Sequence, residues 1–271
     1  MKSKQIAIGQ HHLAYYEQNS EADHTIFFVH GNCTSSTAWK EQMSSPLLKD
    51  YRLVAFDLPA HGQSSTFPSY TMPALGEVIH TAASQLNKKG AQYIIAGVSI
   101  GTNVVAESLA YGQEAAGIVL AGPCIVGGSI GLQEVALPDI DLHVGFVEAA
   151  PVDEVKTYAI LAGLAENSSQ LDDFVTAYYQ ADKAFRPALW DSIISGRHSD
   201  EIGLLQKAGK PALVIFGADE KICDINYLDN VRLPLWRDKI FKIPAAGHLV
   251  QSNQPGIFSQ YLKEFADEVI K

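Results

Sequence analysis

The chain has 271 residues, 47% hydrophobic and 18% charged, enough apolar material for a sizeable core, so a disordered chain and a small disulfide-stapled domain are both excluded. Thirty acidic against 20 basic residues give a formal net charge of -10 with no long run of one sign, which makes nucleic acid and anionic membrane surfaces poor partners. Cys33, Cys124 and Cys223 are far apart in sequence and in no C-x-x-C arrangement; with no secretory signal and no apolar run of about 18 residues, the expectation is a reducing cytoplasm and no membrane span.

In chain order, residues 6–8 and 13–16 with Gly9 and Gln10 between them predict a polar-faced hairpin at an antiparallel sheet edge. A short, continuously apolar run at 25–29 predicts a strand covered on both faces, followed by a helical pattern at 39–48. The same alternation repeats as strand 52–56, helix 72–86, strand 93–96, helix 100–111 and strand 117–120. Strand and helix in alternation mean an α/β fold with a mainly parallel sheet.

From Pro123 to about Leu205 no strand pattern occurs; a stretch carrying Gly127, Gly128 and Gly131 leads into helical segments at 155–164, 171–179 and 187–194. Strands then resume at 212–216 and 239–243, and the chain ends in a helix over 254–270. There Ile257, Phe258, Tyr261, Leu262, Phe265, Ala266 and Val269 make one apolar stripe behind Pro255. The expected organisation is a core of 1–122 and 206–271 with a helical cap, 123–205, serving as a lid.

Gly97-Val98-Ser99-Ile100-Gly101 has G-x-S-x-G spacing directly between a buried strand and a helix, where a serine on a sharp turn is presented for attack and the helix start offers N–H groups to an oxyanion. A serine hydroxyl needs a base. Of nine histidines, His248 is the best placed, in the loop between the final strand and the final helix at the carboxyl edge of the sheet that Ser99 shares. Its orienting carboxylate is expected after the strand ending at Phe216, where Asp219 and Glu220 stand side by side and spacing alone separates neither. The backbone N–H groups of Asn32 and Ile100 are the expected oxyanion donors, with Gly31 allowing close approach; Asp57 is assigned a structural role.

His30-Gly31, Asp57-x-Pro-x-His-Gly-x-Ser, Gly-x-Ser99-x-Gly and Gly247-His248, in that order over nearly the whole chain, resemble the α/β-hydrolase family. The segment from His30 to Trp39 also resembles the haloalkane dehalogenases, but those use an aspartate where this chain has Ser99. Gly217-Ala218-Asp219-Glu220 is similar to the acid loop of the metal-independent N-acyl-homoserine lactonases of this fold, which implies Glu220 as the acid with Asp219 the alternative. The same resemblance implies that Tyr158 is a substrate-contacting cap tyrosine.

The expected activity is that of a serine hydrolase of esters or lactones, working through an acyl-enzyme with a small-molecule substrate, no cofactor and no metal; no H-x-H-x-D-H ligand cluster is present. A short-chain carboxylesterase, a C–C bond hydrolase and, from a different class, a non-catalytic receptor for a small signal are the alternatives.

Overall fold

The computed structural model describes residues 2–271. Eight strands form one sheet: β1 (Lys4–Ile8), β2 (His11–Gln18), β3 (Thr25–Val29), β4 (Arg52–Phe56), β5 (Tyr93–Val98), β6 (Gly117–Ala121), β7 (Ala212–Gly217) and β8 (Leu235–Ile243). Their spatial order is β1-β2-β4-β3-β5-β6-β7-β8, with β1, β2 and β4 paired antiparallel and every other pair parallel. The apolar runs occupy the middle: every residue of β3 through β7 is buried, whereas the polar-faced hairpin β1–β2 closes one edge. Helices on both faces make that double burial possible.

The helices are α1 (Lys40–Met43), α2 (Met72–Leu86), α3 (Ile100–Ser108), α4 (Leu132–Val135), α5 (Val152–Leu161), α6 (Ser169–Gln180), α7 (Phe185–Ile194), α8 (Glu201–Ala208), α9 (Val250–Asn253) and α10 (Pro255–Val269). The stripe on α10 buries Phe258, Leu262, Phe265 and Ala266. Each such aromatic or leucine side chain contributes roughly 1.5–3 kcal/mol when withdrawn from water. None of these helices is long and apolar enough to cross a membrane.

Two of the predicted elements differ most. The pattern at 39–48 is not one helix but a 3₁₀ turn, Ser36–Trp39, then α1 and a second 3₁₀ turn, Pro46–Leu48. Pro46 disfavours helical geometry before it, and Ser45 is extended there, at φ -71° and ψ 123°. β8 starts at Leu235 rather than 239, because left-handed backbone at Arg237 and Asp238 accompanies a register shift against β7. The boundary placed at 205 falls inside α8, which is capped by the Asp200 side chain on the Gly203 N–H (2.9 Å) and packs on α3.

The helical insertion between β6 and β7 is tied together internally, and to the loop after β8, by directed polar contacts. Arg186, 1% exposed, donates to the carbonyls of Val147 (2.9 Å), Tyr178 (3.0 Å) and Glu148 and lies 3.9 Å over the Tyr178 ring. A guanidinium suits this work because its donors form a rigid fork. The turn after α5 meets the loop before α9: Leu249 N–H donates to Ala162 (3.0 Å), and Asn253 Nδ2 donates to Gly163 (2.7 Å) while its Oδ1 accepts from Gly247 N–H (2.8 Å).

Candidate active site

The parallel strands end in register, Val29 opposite Gly97, Val98 opposite Ala121 and Gly217 opposite Ile243, so the loops that follow them gather at one sheet edge. Ligand sites of open α/β sheets form at that carboxyl edge. Ser99 stands between β5 and α3 at φ 54° and ψ -130°, a left-handed conformation costly for a side chain. Its N–H donates to Ala121 (3.0 Å), and its carbonyl accepts from Thr102 Oγ1 (2.6 Å). The flanking glycines explain how the turn fits: a Cβ on Gly97 would lie 2.4 Å from the Gly101 carbonyl oxygen, and one on Gly101 would lie 2.5 Å from that of Val29.

His248 Nε2 is 2.7 Å from Ser99 Oγ, and its Nδ1 is 2.7 Å from Glu220 Oε2. In the tautomer that satisfies both contacts, Ser99 O–H donates to Nε2 and Nδ1–H donates to the carboxylate. Glu220 is the acid brought to His248: its side chain is fully covered, and Oε1 accepts from the N–H groups of Lys221 (2.9 Å) and Ile222 (2.8 Å). Asp219 is exposed and only its backbone N–H is tied down, to Ala246 (2.9 Å). Burial works against ionising Glu220, but His248 and the N–H groups of Ile222 and Cys223 hold its carboxyl below the usual range. Burial likewise opposes protonation of His248, and is outweighed by the Glu220 carboxylate and by Cys124, which push the imidazole up to about 10.

Gly31 lies against the turn; a Cβ there would be 3.0 Å from Ser99 Cβ. Among the described residues, neither the Asn32 N–H nor the Ile100 N–H donates to another protein group, and Ile100, first in its helix, has no intrahelical acceptor. The Asn32 side chain bridges instead, Nδ2 donating to Gly145 (2.6 Å) and Oδ1 accepting from Cys33 N–H (2.9 Å). Tyr158 on α5 converges on the same spot: a Cβ on Gly145 would sit 3.3 Å from Asn32 Nδ2 and 3.4 Å from Tyr158 Oη. No protein partner of that hydroxyl occurs among the described residues, and burial raises it well above the usual phenol range.

Asp57 holds loops: Oδ1 accepts from Ser36 N–H and Oδ2 from Gln63 N–H, both 2.9 Å. His30 does the same, its Nδ1 2.7 Å from the Gly31 carbonyl and its Nε2 accepting from Leu58 N–H (2.9 Å). Burial, partly offset by that carbonyl, pushes His30 down to about 4.

Asn32, Met72, Ser99, Ile100, Asn103 and Tyr158 help line an inner chamber of about 140 Å³. An outer groove of about 1040 Å³ does not touch Ser99 but shares Leu132, Ala136, Leu142 and Phe146 with the chamber wall.

Sequence reasoning passed over Cys124 and Cys223, whose sulfurs lie 3.6 Å apart beside His248, with Cys124 Sγ 4.0 Å from Ser99 Oγ. They lie 99 positions apart, and only the adjacency of β6 and β7 unites them. The Cys223 contact holds the Cys124 thiol down, to about 6, against burial acting upward.

The chain has similar proteins in both sequence and structure. Over 269 residues the chain is 24% identical to the uncharacterised hydrolase YugF of Bacillus subtilis, covering 93% of both. It is 28% identical over 261 residues to the dihydrolipoyllysine-residue acetyltransferase component of the acetoin cleaving system of Cupriavidus necator, covering 92% of this chain but 65% of that protein's length. The N-acyl homoserine lactonase AidH, complexed with N-butanoyl homoserine, superposes with a TM-score of 0.89 at 23% identity over 99% of this chain and 97% of that one. A thermophilic esterase from Thermogutta terrifontis superposes at 0.77 with 19% identity over the whole of both chains. The two structural likenesses are in fold alone, whereas the sequence profile described as the alpha/beta hydrolase family matches residues 26–260, and on that match the chain belongs to the α/β-hydrolase family.

Proposed function

We propose that the protein is a serine hydrolase of carboxylic esters, ring esters included, and that Ser99, His248 and Glu220 are its triad. The observation that carries this reading is the unbroken chain of two 2.7 Å contacts from a covered carboxylate through a buried imidazole to a serine hydroxyl on a strained turn. As Oγ attacks the substrate carbonyl, Nε2 takes its proton and the carbonyl oxygen gains the negative charge, received by the N–H groups of Asn32 and Ile100. Collapse breaks the C–O bond, and His248 returns the proton to the departing alkoxide. Water, activated by the same nitrogen, then frees the acid from Ser99. A lactone follows the same steps, with the alkoxide still tethered to the acyl group.

Two observations favour lactones. The unpartnered Tyr158 hydroxyl stands beside Asn32 at the chamber, and the similar fold of AidH, a homoserine lactonase, makes N-acyl-homoserine lactones the substrates to test first. A dry chamber near 150 Å³ holds about one benzene-sized group, roughly six non-hydrogen atoms, so the ring or a short acyl end occupies it and the remainder extends into the outer groove under the cap of residues 123–205. The three unbridged cysteines suit a reducing cytoplasm.

The test compares kcat/KM for N-acyl-homoserine lactones of increasing acyl length with that for short p-nitrophenyl esters. Tyr158→Phe lowers lactone opening about tenfold, one hydrogen bond's worth, and aryl ester cleavage less. Ester cleavage without lactone opening makes the protein a carboxylesterase; binding of a lactone with turnover of neither substrate makes it a receptor.

A further inference from the structure

We propose that Cys124, Cys223 and His248 form a binding site for a thiophilic divalent cation, zinc or cadmium, whose occupancy disassembles the triad. The hydrolytic scheme uses neither thiol, yet three loops, after β6, β7 and β8, bring both sulfurs and a ring nitrogen of His248 within 4.8 Å of one another. Zinc prefers four ligands in a tetrahedron at about 2.3 Å for sulfur and about 2.0 Å for imidazole nitrogen, which separates two sulfurs by about 3.8 Å. The two sulfurs are 3.6 Å apart, already at that spacing.

The surroundings favour the cation. Cys223 and His248 are 2% and 3% exposed, and both Cys124 and Cys223 line the inner chamber, which gives an entry path. A water or the Ser99 hydroxyl, 4.0 Å from Cys124 Sγ, completes the coordination. On binding, the protons carried by the two thiols and by the coordinating ring nitrogen pass to solvent, and the metal gains two sulfur bonds and one nitrogen bond. Both nitrogens of His248 are already engaged, Nδ1 with Glu220 and Nε2 with Ser99, so the metal gains either one by displacing a triad contact. The consequence is reversible inhibition; this second half rests on the triad reading above, while the binding itself does not.

The reduced, metal-free protein is titrated with cadmium chloride, following the ultraviolet thiolate-to-cadmium charge-transfer band and, in parallel, the hydrolysis of a p-nitrophenyl ester. The expected result is a band saturating at one cadmium per chain, activity lost in step with it, and recovery on adding EDTA. Cys124→Ser and Cys223→Ser, each normalised to its own rate without metal, raise the inhibition constant at least tenfold, and His248→Ala weakens the band. Folding of each variant is checked by circular dichroism, so either cysteine variant suffices. No band at equimolar cadmium, or inhibition constants unchanged in the folded variants, overturns the site. A band with full activity retained overturns the inhibition, and a metal-free protein that turns over no ester at all points instead to failure of the hydrolase reading.

Discussion

Replacing Glu220 by glutamine changes one oxygen to an NH2 group in a fully covered position, with almost no change in volume. The amide oxygen stays where Oε1 now accepts from Lys221 and Ile222 N–H, so the NH2 faces His248 Nδ1. Two donors cannot share that contact; Nδ1 becomes an acceptor, the ring proton moves to Nε2, and Nε2 then points a proton at Ser99 instead of a lone pair. A wrong-tautomer change of this kind lowers kcat by about 10⁴-fold in a serine triad, equivalent to roughly 5 kcal/mol in the barrier. Burial keeps salt from screening the effect. Asp219→Asn, at an exposed carboxylate, changes the rate by no more than about twofold. The assay is kcat and KM on a p-nitrophenyl ester, with near-ultraviolet circular dichroism to verify folding. Glu220→Gln retaining more than a tenth of wild-type kcat, or Asp219→Asn losing more than Glu220→Gln, refutes the assignment.

The upward shift of His248 places the acid limb of the kcat/KM profile above the ordinary imidazole value of 6.5: the base works only when neutral, so activity rises with pH through the raised pKa, and the limb moves down in Glu220→Gln; a wild-type midpoint at or below 6.5 contradicts the coupling. Glu201 is fully buried with Oε1 unpaired, and burial raises its carboxyl well above 4.5. The folded state therefore keeps a proton the unfolded state has lost, and stability falls as pH rises past 4.5; Glu201→Gln flattens that slope of melting temperature against pH, whereas an unchanged slope assigns it to other groups. Gly101→Ala sets a methyl 2.5 Å from the Val29 carbonyl oxygen and 2.6 Å from that of His30, both backbone, for a cost of at least about 1–3 kcal/mol. Its thermal melting point drops by several degrees, and one equal to wild type contradicts the close packing of the turn.

Most of the sheet was legible because its signal is local. The runs at 25–29 and 52–56 are bounded as predicted, and those at 93–96, 117–120 and 212–216 extend by a residue or two, since a strand buried on both faces leaves little choice of residue. The helix Glu201–Ala208 is only two turns long, too short for apolar periodicity to mark it, although its caps, Asp200 and Gly209, are in the sequence. At the site, G-x-S-x-G between strand and helix located Ser99, and the family resemblance favoured Glu220 over Asp219. Spacing could not separate the two acids, because which one faces the sheet edge depends on how the chain turns after Gly217. The contacts between remote segments were beyond sequence patterning altogether: Asn32 with Gly145, Tyr158 beside them, and Cys124 with Cys223 meet only through the order of strands and the packing of the helical insertion.

The most direct test of the central claim is to treat the protein with a fluorophosphonate and locate the adduct by peptide mass spectrometry. The account predicts a single covalent phosphonyl group on Ser99, formed in step with loss of ester hydrolysis, absent in Ser99→Ala, and formed far more slowly in Glu220→Gln. Labelling elsewhere with Ser99 unmodified, or hydrolysis that survives complete labelling of Ser99, would contradict it.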